Sequence, residues 1–193
     1  MLRRLYDWTL ALAGHRHALL ALAAISFAES SVFPVPPDLL LIPMVLAARQ
    51  RAWVIAGVCT VASAAGGLAG YGIGHFLFEA IGRPIVEFYG AMQSFNDFQT
   101  LFADWGWWIV AGAGFTPFPY KVVTIASGVA DLDLVTFTAA SVLSRGARFF
   151  LVAALLWRWG PAMRRFIETY LPQLAGAFFL LLLGGFLVLR YLL

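Results

Sequence analysis

Charge is scarce in this chain. Only 12% of its 193 residues are charged and 62% are hydrophobic, whereas a soluble domain is about 25% charged. That balance excludes an ordinary water-soluble domain and points to an integral membrane protein read as a single unit, residues 1–193. Cys59 is the only cysteine, so there is no disulfide framework and no cysteine metal site. Three histidines, two of them flanking Arg16 at His15 and His17, form no metal constellation. GxSxG, HExxH and a phosphate-cradling glycine loop are all missing. No enzyme chemistry, metal or cofactor is therefore expected. The arginines are scattered and no basic face alternates with exposed aromatics, which argues against nucleic acid. Lysine is almost absent: Lys121 is the only one, and the other basic residues are arginines.

That lone lysine closes one of two matching motifs. Pro34-Val35-Pro36-Pro37-Asp38 and Pro117-Phe118-Pro119-Tyr120-Lys121 are both PxPx followed by a charge, and the charges are opposite. Each motif interrupts an apolar stretch. Pro34, Pro36, Pro37, Pro117 and Pro119 are read as hairpin breaks. Backbone freed from helical bonding is tolerated at membrane depth only where protein or a water-filled cavity satisfies it. An ionisable group there costs about 2.5–3.5 kcal/mol on insertion scales and is a functional-site hypothesis by default.

The apolar pattern predicts a helix over 18–33 and a short one over 38–48. The second arm is roughly 17 Å long, against a hydrocarbon core of about 30 Å. It is too short to span, so the pair reads as a re-entrant hairpin. Residues 53–78 are long enough to span, and Gly66, Gly70 and Gly74 form a small-residue face for close helix packing. The pattern then recurs. A short arm over 105–116, the second break and an arm to Ala130 precede a span over 134–157. The fold class is thus all-α: two inverted repeats (18–80 and 105–160), each a re-entrant helical hairpin plus a transmembrane helix. An interfacial amphipathic helix over 1–17, an amphipathic linker over 81–104 and a C-terminal transmembrane helix over 171–192 complete it. Inverted repeats with broken helices are a transporter signature.

Charge placement supports that layout. Arg3, Arg4, Arg16, Arg49, Arg51, Arg158, Arg164 and Arg165 fall on one side. Glu79, Glu87, Asp97, Asp104, Asp131 and Asp133 fall on the other. Basic loops stay cytoplasmic, which places the N-terminus inside the cell. Arg190 is the misfit.

Five charges lie within the apolar segments. Asp38 follows two prolines in the first turn of its arm, where a carboxylate suits the helix dipole; the plainer alternative is a terminal carboxylate with no further role. Lys121 opposes the dipole of its arm and needs an anion, either a phosphate or the carboxylate of Asp38 or Glu29. Glu29 lies in an apolar helix near the first break, and a carboxylate there can exchange protons near neutral pH. Arg145 and Arg148 share a helix face, and each presents a planar fork suited to phosphate or carboxylate. Their alternative is a shallow, snorkelling position.

The order of these motifs resembles the DedA superfamily, also called the VTT or SNARE-associated Golgi domain, and most closely its YqaA-like branch. The residues are Phe27-Ala28-Glu29, the PVPPD break, Gly70-Tyr71-Gly72-Ile73-Gly74, Gly114 through Lys121, Ala126-Ser127-Gly128 and Arg145 through Phe150. They cover roughly residues 15–160. The resemblance implies two facing re-entrant hairpins in a bacterial inner-membrane protein that moves undecaprenyl phosphate or phospholipids with proton coupling. The family's acidic positions match Glu29 and Asp38. Its basic positions around the second break hold Gly114 and Tyr120 here, with Lys121 displaced by one residue.

These readings give a lipid transporter or scramblase for an anionic headgroup. Lys121, Arg145 and Arg148 would hold the phosphate, and Glu29 and Asp38 would couple protons. Partners would be membrane lipids and protons, with a homo-oligomer left open. Two alternatives stand beside it: a proton-coupled exporter of a small cation or drug, and a non-transporting membrane scaffold or assembly factor.

Overall fold

A computed structural model of the chain describes residues 17–32, 35–90, 92–116 and 118–160. The expected helices over 1–17 and 171–192 lie outside these residues, except for His17, as do Pro34 and Pro117. The described residues are helical. They form α1 (Ala18–Ser31), α2 (Asp38–Ala47), a 3₁₀ turn (Arg49–Arg51), α3 (Ala52–Leu77), a π turn (Phe78–Gly82), α4 (Arg83–Phe88), α5 (Met92–Phe115) and α6 (Tyr120–Val129). The last described helix is α7 (Leu134–Gly160).

Two helical runs are long and apolar enough to cross a membrane, Arg49–Phe88 and Leu134–Gly160. By contrast α1 and α2, with 14 and 10 residues, reach only about 21 and 15 Å. Both breaks fall where the prolines predict them. The arm expected to open at Trp105 begins earlier, at Met92. Aromatic residues at helical spacing explain the extension. Phe95 stacks on Phe78 at 4.4 Å between ring centroids, and Phe98 meets Phe102 at 4.8 Å. The polar residues between them are the outward face of the same helix. Gly90 ends α4 with a positive φ of 64°, a backbone state open to glycine at little cost.

α3 is the spine. A Cβ on Gly66 would collide with the Phe27 carbonyl of α1, and one on Gly74 with the Ile125 carbonyl of α6. Gly70, between them, approaches both Ser30 of α1 and Thr124 of α6. One glycine face therefore receives both hairpins, the close approach that small residues allow.

α7 joins two cores. Phe149, Ala153 and Leu156 pack with α1, α2 and α3. Phe137 and Ala140 pack with α5 and α6. The turn before α7 is capped by Asp133, whose carboxylate accepts from the Thr136 N–H at 2.7 Å and from its hydroxyl at 2.8 Å. These bonds hold the Asp133 carboxyl below the ordinary aspartate range. At the other end of α7, the Trp157 carbonyl would accept from position 161, which is a proline without an N–H. Arg49 donates to that carbonyl instead and lies against Gly160.

Gly66→Ala and Gly74→Ala should each lower the melting temperature in detergent, because their Cβ atoms meet backbone. Overpacking costs about 1–3 kcal/mol. Gly57 has open space around it, so Gly57→Ala should be neutral or stabilise by up to about 1 kcal/mol. Equal melting shifts at all three positions would refute the spine.

Candidate functional site

Proline places the first part of the site. At the end of α1 and just beyond it, the carbonyls of Ser30 and Val32 lie four residues before positions 34 and 36. Both are prolines and neither can donate. α6 supplies the missing donors from its first turns. The Thr124 hydroxyl shares its hydrogen between Ser30 O at 3.0 Å and Lys121 O of its own helix at 2.9 Å, and Lys121 Nζ donates to Val32 O at 3.2 Å. Thr124 and Lys121 are three apart and so share a helix face. The first turn of the second hairpin thus closes the broken end of the first.

α7 places the second part. Arg145 and Arg148 each reach one acid of the first hairpin. Arg145 Nη2 lies 2.5 Å from Glu29 Oε2, with side chains 1% and 13% exposed. Arg148 Nη2 binds Asp38 Oδ2, with side chains 18% and 20% exposed. Arg148 Nη1 also donates to Thr116 O at 3.3 Å, at the rim of the second break. The four charges expected from the sequence therefore meet as two ion pairs. One is enclosed and the other lies on the rim.

The enclosed pair is heavily supported. Arg145 Nε donates to Ser63 Oγ at 2.7 Å. Its guanidinium carbon lies 5.0 Å from the Tyr120 ring centroid and 4.7 Å from that of Phe149. These rings belong to the two different cores, so Arg145 sits on the seam between them. A cation over an aromatic face is stabilised by about 2 kcal/mol or more when desolvated. The Tyr120 hydroxyl is itself satisfied by Ser141 at 2.5 Å. Ser30 Oγ bonds Ser63 Oγ at 2.7 Å and Glu29 Oε2 at 3.1 Å.

Among the described residues Lys121 makes no ion pair; neither Asp38 nor Glu29 is its counter-ion, and its partner is a backbone carbonyl. An ammonium has three hydrogens and this bond uses one. The snorkelling alternative for the two arginines does not describe them, since both point to acids of the first hairpin. Among the described residues no cluster of His, Cys, Asp or Glu could hold a metal.

The VTT domain matches residues 35–158, which include Asp38, Lys121, Arg145 and Arg148. This protein belongs to the VTT-domain family. An uncharacterized protein of Haemophilus influenzae is 38% identical over 156 residues, covering 81% of this chain and 80% of that one. A homologue from Histophilus somni, also uncharacterized, is 36% identical over 151 residues, covering 78% of each chain. No solved structure matches. Glu29 precedes the span matched by the VTT domain, yet it forms the more buried of the two pairs.

Sequence reasoning missed the uncharged members of this VTT site. Ser30, Ser63 and Thr124 are all buried, and each is an unremarkable residue in an apolar run; Tyr120, also buried, stood in the sequence only as part of the second break. A signal existed for Thr124: a hydroxyl one turn after Lys121, in a chain whose prolines orphan two carbonyls.

Removing one partner of a buried pair leaves the other charge stranded, at about 3–5 kcal/mol. Arg145→Met alone should therefore melt far below wild type in detergent. Glu29→Leu combined with Arg145→Met should recover most of that loss, since an apolar pair of similar volume replaces the ions. A double variant as unstable as Arg145→Met would show that the seam depends on the rings and Ser63 rather than on the Glu29 pairing.

Proposed function

We propose that this VTT-domain protein moves lipids with anionic headgroups across the bacterial inner membrane, as a transporter or scramblase coupled to protons. The single observation behind this reading is the graded placement of the charges. Arg148 and Asp38 sit on the rim, while Arg145 and Glu29 sit one helical turn deeper and enclosed. An arriving phosphate meets Lys121 and Arg148 first. It competes with Asp38 for the Arg148 fork, the bidentate geometry arginine offers to either anion. The acyl or prenyl tails of a phospholipid or a polyprenyl phosphate stay in the bilayer, so a small chain need build only a polar notch. Protonation of Glu29 and Asp38 alters the competition and releases or admits the headgroup.

The arrangement of elements agrees with inverted repeats. α1 and α2 are joined by a break and lead into the long α3. α5 and α6 are joined by a break and lead into the long α7. Arg49 and Arg51 follow the first hairpin, and Asp131 and Asp133 follow the second. On the positive-inside rule the hairpins enter from opposite faces and the N-terminus is cytoplasmic. Single cysteines at Gln50 and Gln93, in a Cys59→Ala background, should differ in labelling by an impermeant reagent applied from outside. Gln93→Cys should react and Gln50→Cys should not. Equal labelling would contradict this topology.

Function is tested with purified protein in liposomes, scored for translocation of fluorescent phospholipids and a polyprenyl phosphate. Wild type should accelerate at least one anionic lipid, with a pH dependence that Glu29→Gln abolishes. Exchanging the rim charges, Asp38→Arg with Arg148→Asp, rebuilds the ion pair but moves the guanidinium to the other hairpin. The exchanged protein should fold and lose translocation by roughly tenfold or more, the effect of about 1.4 kcal/mol. Near-normal translocation would leave the rim pair with a structural role only. Transport of cationic drugs with no lipid movement would favour the exporter reading instead.

A further inference from the structure

Glu29, Ser30, Ser63 and Arg145 form a closed ring of hydrogen bonds across three helices. Arg145 Nη2 reaches Glu29 Oε2 at 2.5 Å, and Arg145 Nε reaches Ser63 Oγ at 2.7 Å. Ser63 Oγ lies 2.7 Å from Ser30 Oγ, which lies 3.1 Å from Glu29 Oε2. Elementary bonding rules fix the direction of every hydrogen. Arginine only donates and an ionised carboxylate only accepts. Ser63 therefore accepts from Arg145. The single hydrogen of Ser30 goes to Glu29, so the bond between the two hydroxyls must be donated by Ser63. The ring runs one way, from Arg145 to Glu29, and both of its arms end on the same carboxylate oxygen.

A proton taken up by Glu29 removes the charge on which both arms of the ring converge. We propose that Ser30 and Ser63 are positioning residues that lock the charged Glu29–Arg145 pair, and that proton arrival at Glu29 discharges the acceptor end of the ring and frees Arg145 toward an anionic headgroup. The step is a proton transfer only. A hydronium ion supplies the proton: one of its O–H bonds breaks to leave water, a carboxyl O–H bond forms on Glu29, Glu29 becomes neutral and Arg145 keeps its charge. Release to a headgroup rests on the lipid reading above, whereas the ring and its dependence on the charge of Glu29 do not.

Other charged and titratable groups act on this ring. Arg148 of α7 and Asp38 of α2 act on Arg145, Tyr120 of α6 acts on both Arg145 and Glu29, and Cys59 of α3 lies within reach of Arg145. Lys121 of α6 caps the end of the same helix, α1. None of them touches the two serine hydroxyls in a way that could set their direction. Ser63 and Ser30 are fully buried.

The test needs no substrate. Infrared difference spectra of the full chain in lipid, recorded against pH, report the carbonyl stretch of a protonated carboxyl group. The band belonging to Glu29 is the one lost in Glu29→Gln. Ser30→Ala removes a donor to a charged group, so the pH at which Glu29 protonates should rise by about one unit. Ser63→Ala should move it in the same direction by less. Ser63→Thr keeps the hydroxyl and should restore the wild-type midpoint. Ser31, the next residue, bonds only the backbone of its own helix at Phe27 and Ala28, so Ser31→Ala should move nothing. Wild-type midpoints in both Ser30→Ala and Ser63→Ala would overturn the proposal, as would the absence of any Glu29 band. Liposomes that move no lipid, with the infrared shifts intact, would refute the transport reading and leave the ring standing.

Discussion

A carbonyl that loses its helical donor to proline in an apolar stretch is best satisfied by another donor of the same chain. Much of this structure follows from that constraint. Pro34 and Pro36 orphan the carbonyls of Ser30 and Val32, and α6 is seated where Thr124 and Lys121 can reach them. Pro161 orphans the Trp157 carbonyl, and Arg49 fills the gap. Each repair ties together segments far apart in sequence. A helix break in this protein is therefore also a tertiary joint, and its position dictates which element can lie beside it. The glycine face of α3 makes the joint geometrically feasible, since Gly70 gives room to Ser30 and Thr124 at one point.

The joint also dictates where charge can reside. An isolated ion in such an interior would cost several kcal/mol; four of the five charges near the breaks are paired, and Lys121 rests on the Val32 carbonyl. Arg145 is balanced by Glu29, the Ser63 hydroxyl and two aromatic faces. Arg148 is balanced by Asp38 and a carbonyl of the second break. Both arginines come from α7, yet both acids come from the first hairpin. The charge network thus crosses between the two halves rather than being satisfied within either. A change at one break is felt at the other through Arg148, which touches both.

Much of this was legible in the residues themselves. The two PxPx motifs marked both breaks, because proline's missing N–H leaves no other reading in an apolar run. Glu29, Asp38, Arg145 and Arg148 stood out because charge is rare here, and all four converge. The glycine spacing on α3 named the packing face. Pairing was less accessible. Which arginine takes which acid depends on how far α7 slides between the two cores, a long-range quantity with no local signature. Of the anions expected for Lys121, neither carboxylate reaches it, and it caps a carbonyl, since the prolines that made it conspicuous also created a nearer acceptor. The early start of α5 was hidden by polar residues on its outward face, while its stripe of phenylalanines carried the true signal.

Hydroxyl groups were the least legible, and physically they matter most for how the charges could change state. Serine and threonine are common in membrane helices, where they bond the preceding turn, as Thr60 does to Ala56 O and Ser127 to Val123 O. Ser30 and Ser63 differ only in what faces them. Donor–acceptor rules applied around the ring give their hydrogens a single orientation, which no inspection of either residue alone could supply. Direction in a hydrogen-bond chain is a property of its ends. Here one end can only donate and the other is the one group in the ring whose chemistry changes on taking up a proton. A ring with those ends ties the charge of Glu29 to the geometry of Arg145, and through the seam it occupies, to both cores of the bundle.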